Sequence, residues 1–374
     1  MAPPLLVGPT AIIEDEDWNG TVLMNRLGGT VKLGDIHDEC ATDELDANRI
    51  VDLFEKLPRS ERVIFGSTVY GATPAGKKKL DRLPLEIKRE LKNRGRSARW
   101  VTSEGDQPLT PAAVAKLKLT SDGYDLLFLV SGGVVSIGLT THVQDADFWS
   151  ERDYGRPVRD DENGMLPPKL ARMMVNLGAL PESGTLLDPF CGSGTVLMEA
   201  ALATHAGQII MSDIEMAQVN ATKMNLDWLI ERRILRDDDR EHTMLFASDA
   251  RDIKKHVTKN VDAIVTEGYL GPPLSGHEPV AKLMKNAEEI TQLWRDSLIA
   301  FKDILAKNGR IVGVWPSMKS EHGSARVDLT DELNDLGYRL VNPLAPWDTS
   351  NDPLLYHRVG QRVMRRIVVL ERLA

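Results

Sequence analysis

Residues 186–195 read LLDPFCGSGT, and this stretch decides the fold of the C-terminal half of the chain. Apolar residues predict a strand ending at Asp188; a turn with two glycines follows, and an apolar segment then predicts a helix. Glycines at such a turn let the backbone approach a ligand closely, and N–H groups at the helix start can meet a polar group. Pro189 and Phe190 replace the spacing of a GxGxxG loop, which disfavours a dinucleotide. The stretch predicts a ligand-binding loop, with a structural turn as the alternative.

Strands and helices alternate on the C-terminal side of this loop. The predicted strands are 185–187, 208–211, 243–246, 263–265, 310–314 and 363–370. The predicted helices are 196–202, 217–229 and 291–306. This order predicts an α/β fold with a doubly wound, mostly parallel sheet. A chain of 374 residues is long enough for two or three domains, and we expect the main boundary just before residue 169.

Composition points to an ordinary soluble protein, with 42% hydrophobic and 27% charged residues. Cys40 and Cys191 lie in unrelated contexts, so we expect neither a disulfide nor a metal site, and a reducing cytoplasm is the natural setting. The first residues lack the features of a signal peptide, and no apolar run is long enough for a membrane span.

The net charge of −9 argues mildly against a nucleic-acid partner, but the charge is unevenly distributed. Residues 77–99 contain ten basic and three acidic residues. A predicted amphipathic helix over 77–95 carries most of them; Pro84 complicates its start, and a helix that begins at Pro84, with the proline in its first turn, is the alternative. The basic face predicts phosphate contacts, with an ordinary solvated helix face as the alternative.

Acidic residues follow three further predicted strands. Asp213, beside Ile214, can accept both hydroxyls of a ribose, and Asp249, beside Ala250, can accept from an adenine amino group. A helix cap and a surface-loop residue are the respective alternatives. Glu267 and Tyr269 follow the fourth strand, where a carboxylate can hold an amino group and a ring can stack on a base.

Together these segments resemble a class I methyltransferase, and more specifically the THUMP-containing tRNA guanosine N2-methyltransferases of the archaeal type that acts at position ten. The similarity extends outside the loop region, to 143–145 (VQD), 152–160 (RDYGRPVRD), 164–171 (GMLPPKLA) and 356–361 (YHRVGQ). It is clear over about residues 140–372. The resemblance implies S-adenosyl-L-methionine as cofactor and tRNA, or another structured RNA, as substrate.

The resemblance also implies a domain order and a set of site residues. It implies a ferredoxin-like part over 1–60, a THUMP-like RNA-binding module over 61–145, a linker over 146–168 and a Rossmann-like methyltransferase domain over 169–374. The implied cofactor residues are Asp188, Pro189, Phe190, Cys191, Gly192, Ser193, Gly194, Thr195, Asp213, Ile214, Asp249 and Ala250. The implied RNA contacts are Lys77, Lys78, Lys79, Lys88, Arg89, Lys92, Arg94, Arg96 and Arg156. Arg152, Arg156, Arg159 and Lys169 either extend that surface or pair with nearby acids.

One motif departs from the family. An Asp-Pro-Pro-Tyr motif follows the fourth strand in the family, whereas this chain has Glu267-Gly268-Tyr269, and its prolines come later. Cofactor binding does not depend on this motif, but base identity and catalysis do. Three hypotheses therefore remain: a tRNA guanine-N2 methyltransferase with Glu267 and Tyr269 as catalytic residues, an amino-methylase of another substrate (DNA, rRNA or protein), and an RNA- or cofactor-binding protein with altered or lost catalysis. The sequence does not tell whether an accessory subunit takes part.

Overall fold

The computed structural model describes residues 4–15, 17–57, 59–103, 108–159, 165–345 and 352–373. Residues 160–164, which end one resembling segment and begin the next, lie outside this description. By its internal contacts the chain divides into two units, Met1–Asn25 with Thr30–Phe148, and Arg26–Gly29 with Trp149–Ala374. None of the helices within the described residues is long and apolar enough to cross a lipid bilayer.

The N-terminal unit alternates short strands and helices. In chain order these are β1 (Leu5–Val7), β2 (Thr10–Ile12), α1 (Gly20–Arg26), β3 (Lys32–Ala41), α2 (Ala47–Lys56), β4 (Val63–Tyr70), α3 (Pro74–Leu80), α4 (Leu83–Asn93), β5 (Ala98–Trp100), α5 (Pro111–Lys116), β6 (Tyr124–Ser131) and β7 (Val134–Val143). The predicted helix over 77–95 is thus two helices. Pro84 lies in the first turn of α4, where its missing N–H costs nothing, whereas inside one long helix it would clash with the preceding turn.

Five strands of this unit form one mixed sheet in the order β3-β7-β6-β4-β5. β3, β7 and β6 are antiparallel neighbours, while β4 runs parallel to both β6 and β5. Phe54 of α2 and Ile87 of α4 share one buried core with Phe65 and Phe128 of the sheet. This core joins described residues on both sides of position 60, so α2 and α4 pack in the same core as the sheet. The ferredoxin-like and THUMP-like assignments of its two parts stay predictions.

The main part of the C-terminal unit begins at Trp149, within α6 (Ala146–Tyr154). Its further elements are α7 (Pro168–Leu177), β8 (Thr185–Asp188), α8 (Thr195–Ala203), β9 (Gln208–Asp213), α9 (Met216–Glu231), α10 (Asp238–Glu241), β10 (Thr243–Ala247), β11 (Val261–Val265), α11 (Val280–Lys302), β12 (Leu305–Ser320), β13 (Gly323–Arg326), α12 (Leu333–Leu336), β14 (Tyr338–Leu340), β15 (Leu354–Tyr356) and β16 (Val363–Arg372). Short 3₁₀ turns cover Ala250–Lys255 and Thr330–Glu332. The helix predicted over 291–306 instead starts at Val280, directly after Pro279, and ends at Lys302, before β12.

The sheet of this unit has the order β10-β9-β8-β11-β12-β16-β14, with β13 and β15 paired to β12 and β16. Five neighbouring strands are parallel, in the order β10-β9-β8-β11-β12, and β16 is antiparallel to β12. The predicted α/β, Rossmann-like fold with a mostly parallel sheet is confirmed. The chain moves from β8 outward to β9 in one direction and returns to β11 on the other side. Ligands of such sheets bind at this switch point, beyond the carboxyl ends of the strands.

Candidate active site

A cavity of about 630 Å³ lies at the carboxyl ends of β8, β9, β10 and β11. Its size falls within the range of small-molecule sites. The predicted site residues that line it are Asp188, Pro189, Phe190, Cys191, Gly192, Ser193, Thr195, Asp213, Ile214, Asp249, Ala250, Glu267 and Tyr269. The cavity lining does not include Gly194. Four loops that are distant in sequence therefore meet at one cavity, as parallel strands require.

The glycine loop after β8 takes a conformation that favours glycine at two positions. Gly192 has φ +49° and Gly194 has φ +83°. A methyl group on Gly194 would lie 2.9 Å from the side chain of Thr222, whereas one on Gly192 would meet nothing within 4 Å. Gly194 thus permits packing against α9, and Gly192 leaves its backbone open to the cavity.

Two polar residues of α9 that are not among the predicted site residues hold this loop. The Thr222 hydroxyl donates to the Gly192 carbonyl at 2.8 Å, and the Asn225 amide donates to the Ser193 carbonyl at 2.7 Å. Both side chains are fully buried. Their spacing of three puts them on one helix face among apolar residues, which is the sequence signal that would have found them.

Asp213 ties the glycine loop to the end of β9. Its Oδ2 accepts from the Gly192 N–H and its Oδ1 accepts from the Glu215 N–H, both at 3.0 Å. Each carboxylate oxygen can accept a second hydrogen bond. The side chain therefore organises the loop and keeps acceptor capacity for hydroxyl groups in the cavity.

Asp249, which is predicted to accept from an adenine amino group, already forms an ion pair with Arg251. The Arg251 guanidinium donates to both of its oxygens, with Nη2 2.6 Å from Oδ2 and Nε 2.9 Å from Oδ1. This guanidinium holds the pKa of Asp249 below its ordinary value. Asp249 is thus an ionised, already paired carboxylate, and its role toward a ligand stays a prediction.

Asp188 is buried at the floor of the cavity, with 1% of its surface exposed. It accepts the Phe190 N–H at 3.1 Å and a hydrogen bond from the Thr266 side chain. Burial raises its pKa to about 7, and the negative charges of Asp213 and Glu267 add to the rise. Near neutral pH this carboxyl group therefore changes between its neutral and ionised forms.

Replacing Asp188 with Asn is expected to make the stability of the protein less sensitive to pH. Because the folded pKa lies above the unfolded value, unfolding releases a proton from Asp188 between these two pKa values, and the wild type loses stability as pH rises toward 7. Asn mimics the neutral acid. The stability of the variant relative to wild type should rise by about 2–3 kcal/mol between pH 5 and pH 8. Urea unfolding at both pH values measures this difference, and a constant difference would contradict the buried neutral acid.

Glu267 and Tyr269 differ in solvent exposure. The Glu267 side chain is 16% exposed, and its Oε1 accepts from Arg365 Nε at 2.5 Å. Tyr269 is 50% exposed and lines the cavity. Gly268 between them has φ +70°, and a methyl group there would lie 2.7 Å from the Trp294 ring. Proline cannot take this φ, so a proline at position 268 would be incompatible with the conformation of this loop.

The predicted RNA contacts fall into two groups in the N-terminal unit. Lys78, Lys79, Lys88, Arg89 and Lys92 are exposed on α3 and α4, and Lys77 is half-buried. Arg94 and Arg96 are instead engaged within the unit. Arg94 pairs with Asp52, Glu55 and Glu90, and Arg96 donates to the Ser60 carbonyl at 2.6 Å.

Arg156 requires a correction, because it is not a surface residue. It is 3% exposed, and its Nη1 donates to the Thr195 hydroxyl at 2.8 Å, at the start of α8. Arg152 is likewise buried, with its Nε 2.7 Å from Oε1 of Glu199. Arg152 and Arg156 thus hold α8 and the end of the glycine loop from inside the C-terminal unit, whereas Arg159 and Lys169 are exposed. For Arg152 the alternative of pairing with a nearby acid is the one observed, and only the surface position expected for Arg156 is not.

Residues 156–325 match the family described as UPF0020, RMKL-like, methyltransferase domain. The chain is 33% identical over 155 residues to the tRNA (guanine(10)-N2)-dimethyltransferase of Methanothermobacter thermautotrophicus, covering 41% of this chain and 39% of that protein. It is 32% identical over 138 residues to a probable tRNA (guanine(10)-N2)-dimethyltransferase of Methanothermococcus thermolithotrophicus, covering 36% of this chain and 78% of that protein. The crystal structure of TrmN from Thermus thermophilus aligns over 96% of this chain and 88% of its own, with a TM-score of 0.51 and 16% identity.

These similarities bear on family and fold to different extents. The likeness to TrmN concerns the fold alone, since the sequence identity is low. The chain spans about two fifths of the length of the first relative but more than two thirds of the second. The family resemblance inferred from the sequence is confirmed, and class I methyltransferases use S-adenosyl-L-methionine in general. The chain belongs to the family of the tRNA (guanine(10)-N2)-dimethyltransferases, built on a Rossmann-like methyltransferase domain.

Proposed function

We propose that the chain transfers a methyl group from S-adenosyl-L-methionine to an amino nitrogen. The observation that carries this proposal is one cavity lined by both the glycine loop after β8 and the carboxylate of Glu267 after β11. Gly192 and Asp213 would hold the cofactor, whose sulfonium methyl is the group transferred. The chain's own residues then have to exclude water and orient the nitrogen, because an in-line displacement depends mainly on positioning.

We further propose tRNA as the substrate and the exocyclic N2 of a guanosine as the methylated atom. The printed names of the relatives support this choice. Glu267 would accept an N–H bond of the amino group, so that the nitrogen lone pair faces the methyl carbon. The N–C bond would form as the S–C bond breaks, with S-adenosyl-L-homocysteine as the leaving group, and the Glu267 carboxylate would take up the N–H proton that the nitrogen then loses. Tyr269, half-exposed at the cavity, would stack on the flipped base.

Radiolabelled methyl transfer to unmodified tRNA tests the substrate. The chain alone, without any added subunit, is incubated with labelled S-adenosyl-L-methionine and tRNA, and the product nucleosides are separated. Label in N2-methylguanosine is the expected result. Label in another nucleoside would keep the enzyme class and overturn the proposed base, and no label with bound cofactor would overturn the activity of the chain by itself.

Gly192→Ala is expected to weaken cofactor binding about tenfold or more, because a methyl group would enter the open side of the cavity at φ +49°. Gly132→Ala is the matched control, since Gly132 has φ +57°, an equally open methyl position and a place in the β6–β7 turn. Both variants should lose similar thermal stability, but only Gly192→Ala should change cofactor affinity in calorimetry. Equal cofactor affinity for the two variants would mean that the glycine loop does not bind it.

The exposed basic residues of α4 are expected to contribute to tRNA affinity. Changing Lys88, Arg89 and Lys92 together to Glu should weaken tRNA binding at least tenfold at low salt and reduce the salt dependence by about two to three ions. The Lys116→Glu, Lys118→Glu double variant of the same unit is the control. Filter binding over a salt series measures both quantities. An unchanged salt dependence would identify the α4 face as a solvated surface.

A second candidate function is a cofactor- or RNA-binding protein without methyl transfer. The observation that favours it is the ion pair of Glu267 with Arg365, which occupies one oxygen of the proposed catalytic carboxylate. Cofactor binding and tRNA binding without transfer to any nucleoside would support this candidate.

Both cysteines are buried and unpaired, which is consistent with our further proposal of a reducing, cytoplasmic setting.

A further inference from the structure

Arg365 of β16 contacts the candidate catalytic loop from a distant part of the chain. Its side chain is 4% exposed, and its Nε lies 2.5 Å from Oε1 of Glu267, which is 98 positions earlier. β16 is antiparallel to β12, and Arg365 is paired with Pro316 in that register. The strand therefore carries a buried cation to the loop that follows β11.

The neighbouring arginine shows that this contact is specific to one face of β16. Arg366 donates through Nη1 to the Val327 carbonyl at 2.7 Å and through Nη2 to Oδ2 of Asp328 at 3.1 Å. Successive side chains of a strand point to opposite faces, so only one of the two arginines reaches the cavity loop. Arg366 consequently provides a buried, charged and adjacent control.

The carboxylates near Arg365 need a cation. Burial raises the pKa of Glu267, and the Arg365 guanidinium opposes this rise. The ionisable groups around Glu267 are Arg365 from β16 and Asp188 from β8, whose negative charge is unfavourable to a second one. Within the described part of the chain, no other hydrogen-bond donor reaches the Glu267 carboxylate. Without Arg365 the neutral acid would be favoured, and its proton would compete with an incoming N–H.

We infer that Arg365 is a positioning residue for amino-group methylation, which fixes one oxygen of Glu267 so that the other accepts the N–H of the target nitrogen. This inference rests on the proposed function. A glutamate has one more rotatable bond than an aspartate and loses more entropy when it is held in one rotamer. The bond to Arg365 supplies that restriction before the substrate binds. Arg365 itself need not contact the substrate.

The test compares Arg365→Met, Arg365→Lys, Glu267→Gln and the control Arg366→Met, with the wild type. Cofactor affinity, kcat and KM for methyl transfer to tRNA are measured from pH 6 to pH 9. We expect Arg365→Met to lower kcat about tenfold to hundredfold with little change in KM. The acid limb of the pH profile of kcat should also move to higher pH. Arg365→Lys should recover part of kcat. Adding Arg365→Met to Glu267→Gln should cost little more than Glu267→Gln alone.

A second readout does not depend on activity. The infrared carboxylate band of ¹³C-labelled glutamate, taken as the wild type minus Glu267→Gln, reports the ionisation of Glu267. Arg365→Met should raise its midpoint by about one to three pH units, and Arg366→Met should not. An unchanged midpoint, multiplicative losses in the double variant, or equal effects of the two arginine variants would overturn the inference. If Arg365→Met shifts the midpoint of Glu267 but the wild type methylates no tRNA, the ion pair is real and the proposed function is wrong.

Discussion

Glu267→Gln is expected to lower the rate of methyl transfer about a hundredfold or more, while S-adenosyl-L-methionine still binds with nearly the wild-type affinity. The side chain keeps its size, so the wall of the cavity stays in place. The amide, however, presents an NH₂ group where the carboxylate has an acceptor, and it loses the ion pair with Arg365. The target nitrogen is then held less often with its lone pair toward the methyl carbon. Single-turnover rates with saturating tRNA measure this step directly.

Glu371→Gln is the matched control for this experiment. Glu371 lies on β16, is 19% exposed in its side chain and pairs with Arg310 at 2.9 Å and Arg339 at 2.6 Å. Its loss removes a carboxylate of similar burial and pairing that does not line the cavity. We expect lower stability with an unchanged rate. Equal rates for Glu267→Gln and wild type would remove Glu267 from the proposed reaction and favour the non-catalytic candidate.

The glycine loop could be predicted from the sequence because its chemistry is local. A strand, two glycines with positive φ and a helix follow one another within residues 185–203, and the structure has each of them. The parallel order of β8 to β12 follows from the same alternation, since parallel neighbours need a crossover between them. The residues that line the cavity at the four strand ends could therefore be predicted from the sequence alone.

Partners that are distant in the chain could not be predicted in this way. The bond from Arg365 to Glu267 joins residues 98 positions apart, and neither position carries a local signal for the other. Arg156 shows the same limit, because a basic residue in a polar segment has no periodicity that distinguishes a buried side chain from an exposed one. The helix start at Pro84, in contrast, has a local signal, and the alternative of a helix with this proline in its first turn is the one that the structure has.

The buried charges of the 152–160 segment lead to the second large effect, on stability. Glu199 of α8 is fully buried and binds two arginines, with Arg152 Nε at 2.7 Å and Arg172 Nη2 at 2.6 Å. The Arg152 guanidinium also lies over the Trp149 ring at 4.2 Å. Burial lowers the pKa of Arg172, and the Glu199 charge opposes that change. The carboxylate is therefore the counterion that two buried cations share.

Glu199→Ala is expected to destabilise the protein by about 3–5 kcal/mol, because it leaves two buried guanidinium groups without this carboxylate. Glu332→Ala is the control, since Glu332 is 43% exposed in its pair with Arg295, and such a surface pair contributes at most about 1 kcal/mol. Urea unfolding measures both variants. If Glu199→Ala does not fold, the triple variant Glu199→Leu, Arg152→Met, Arg172→Leu should, because apolar groups of similar volume remove the charges together. Similar small losses for Glu199→Ala and Glu332→Ala would contradict the shared-counterion role. A large loss would show that the burial of Arg152 depends on Glu199, which lies one turn after Thr195, where Arg156 holds the start of the same helix.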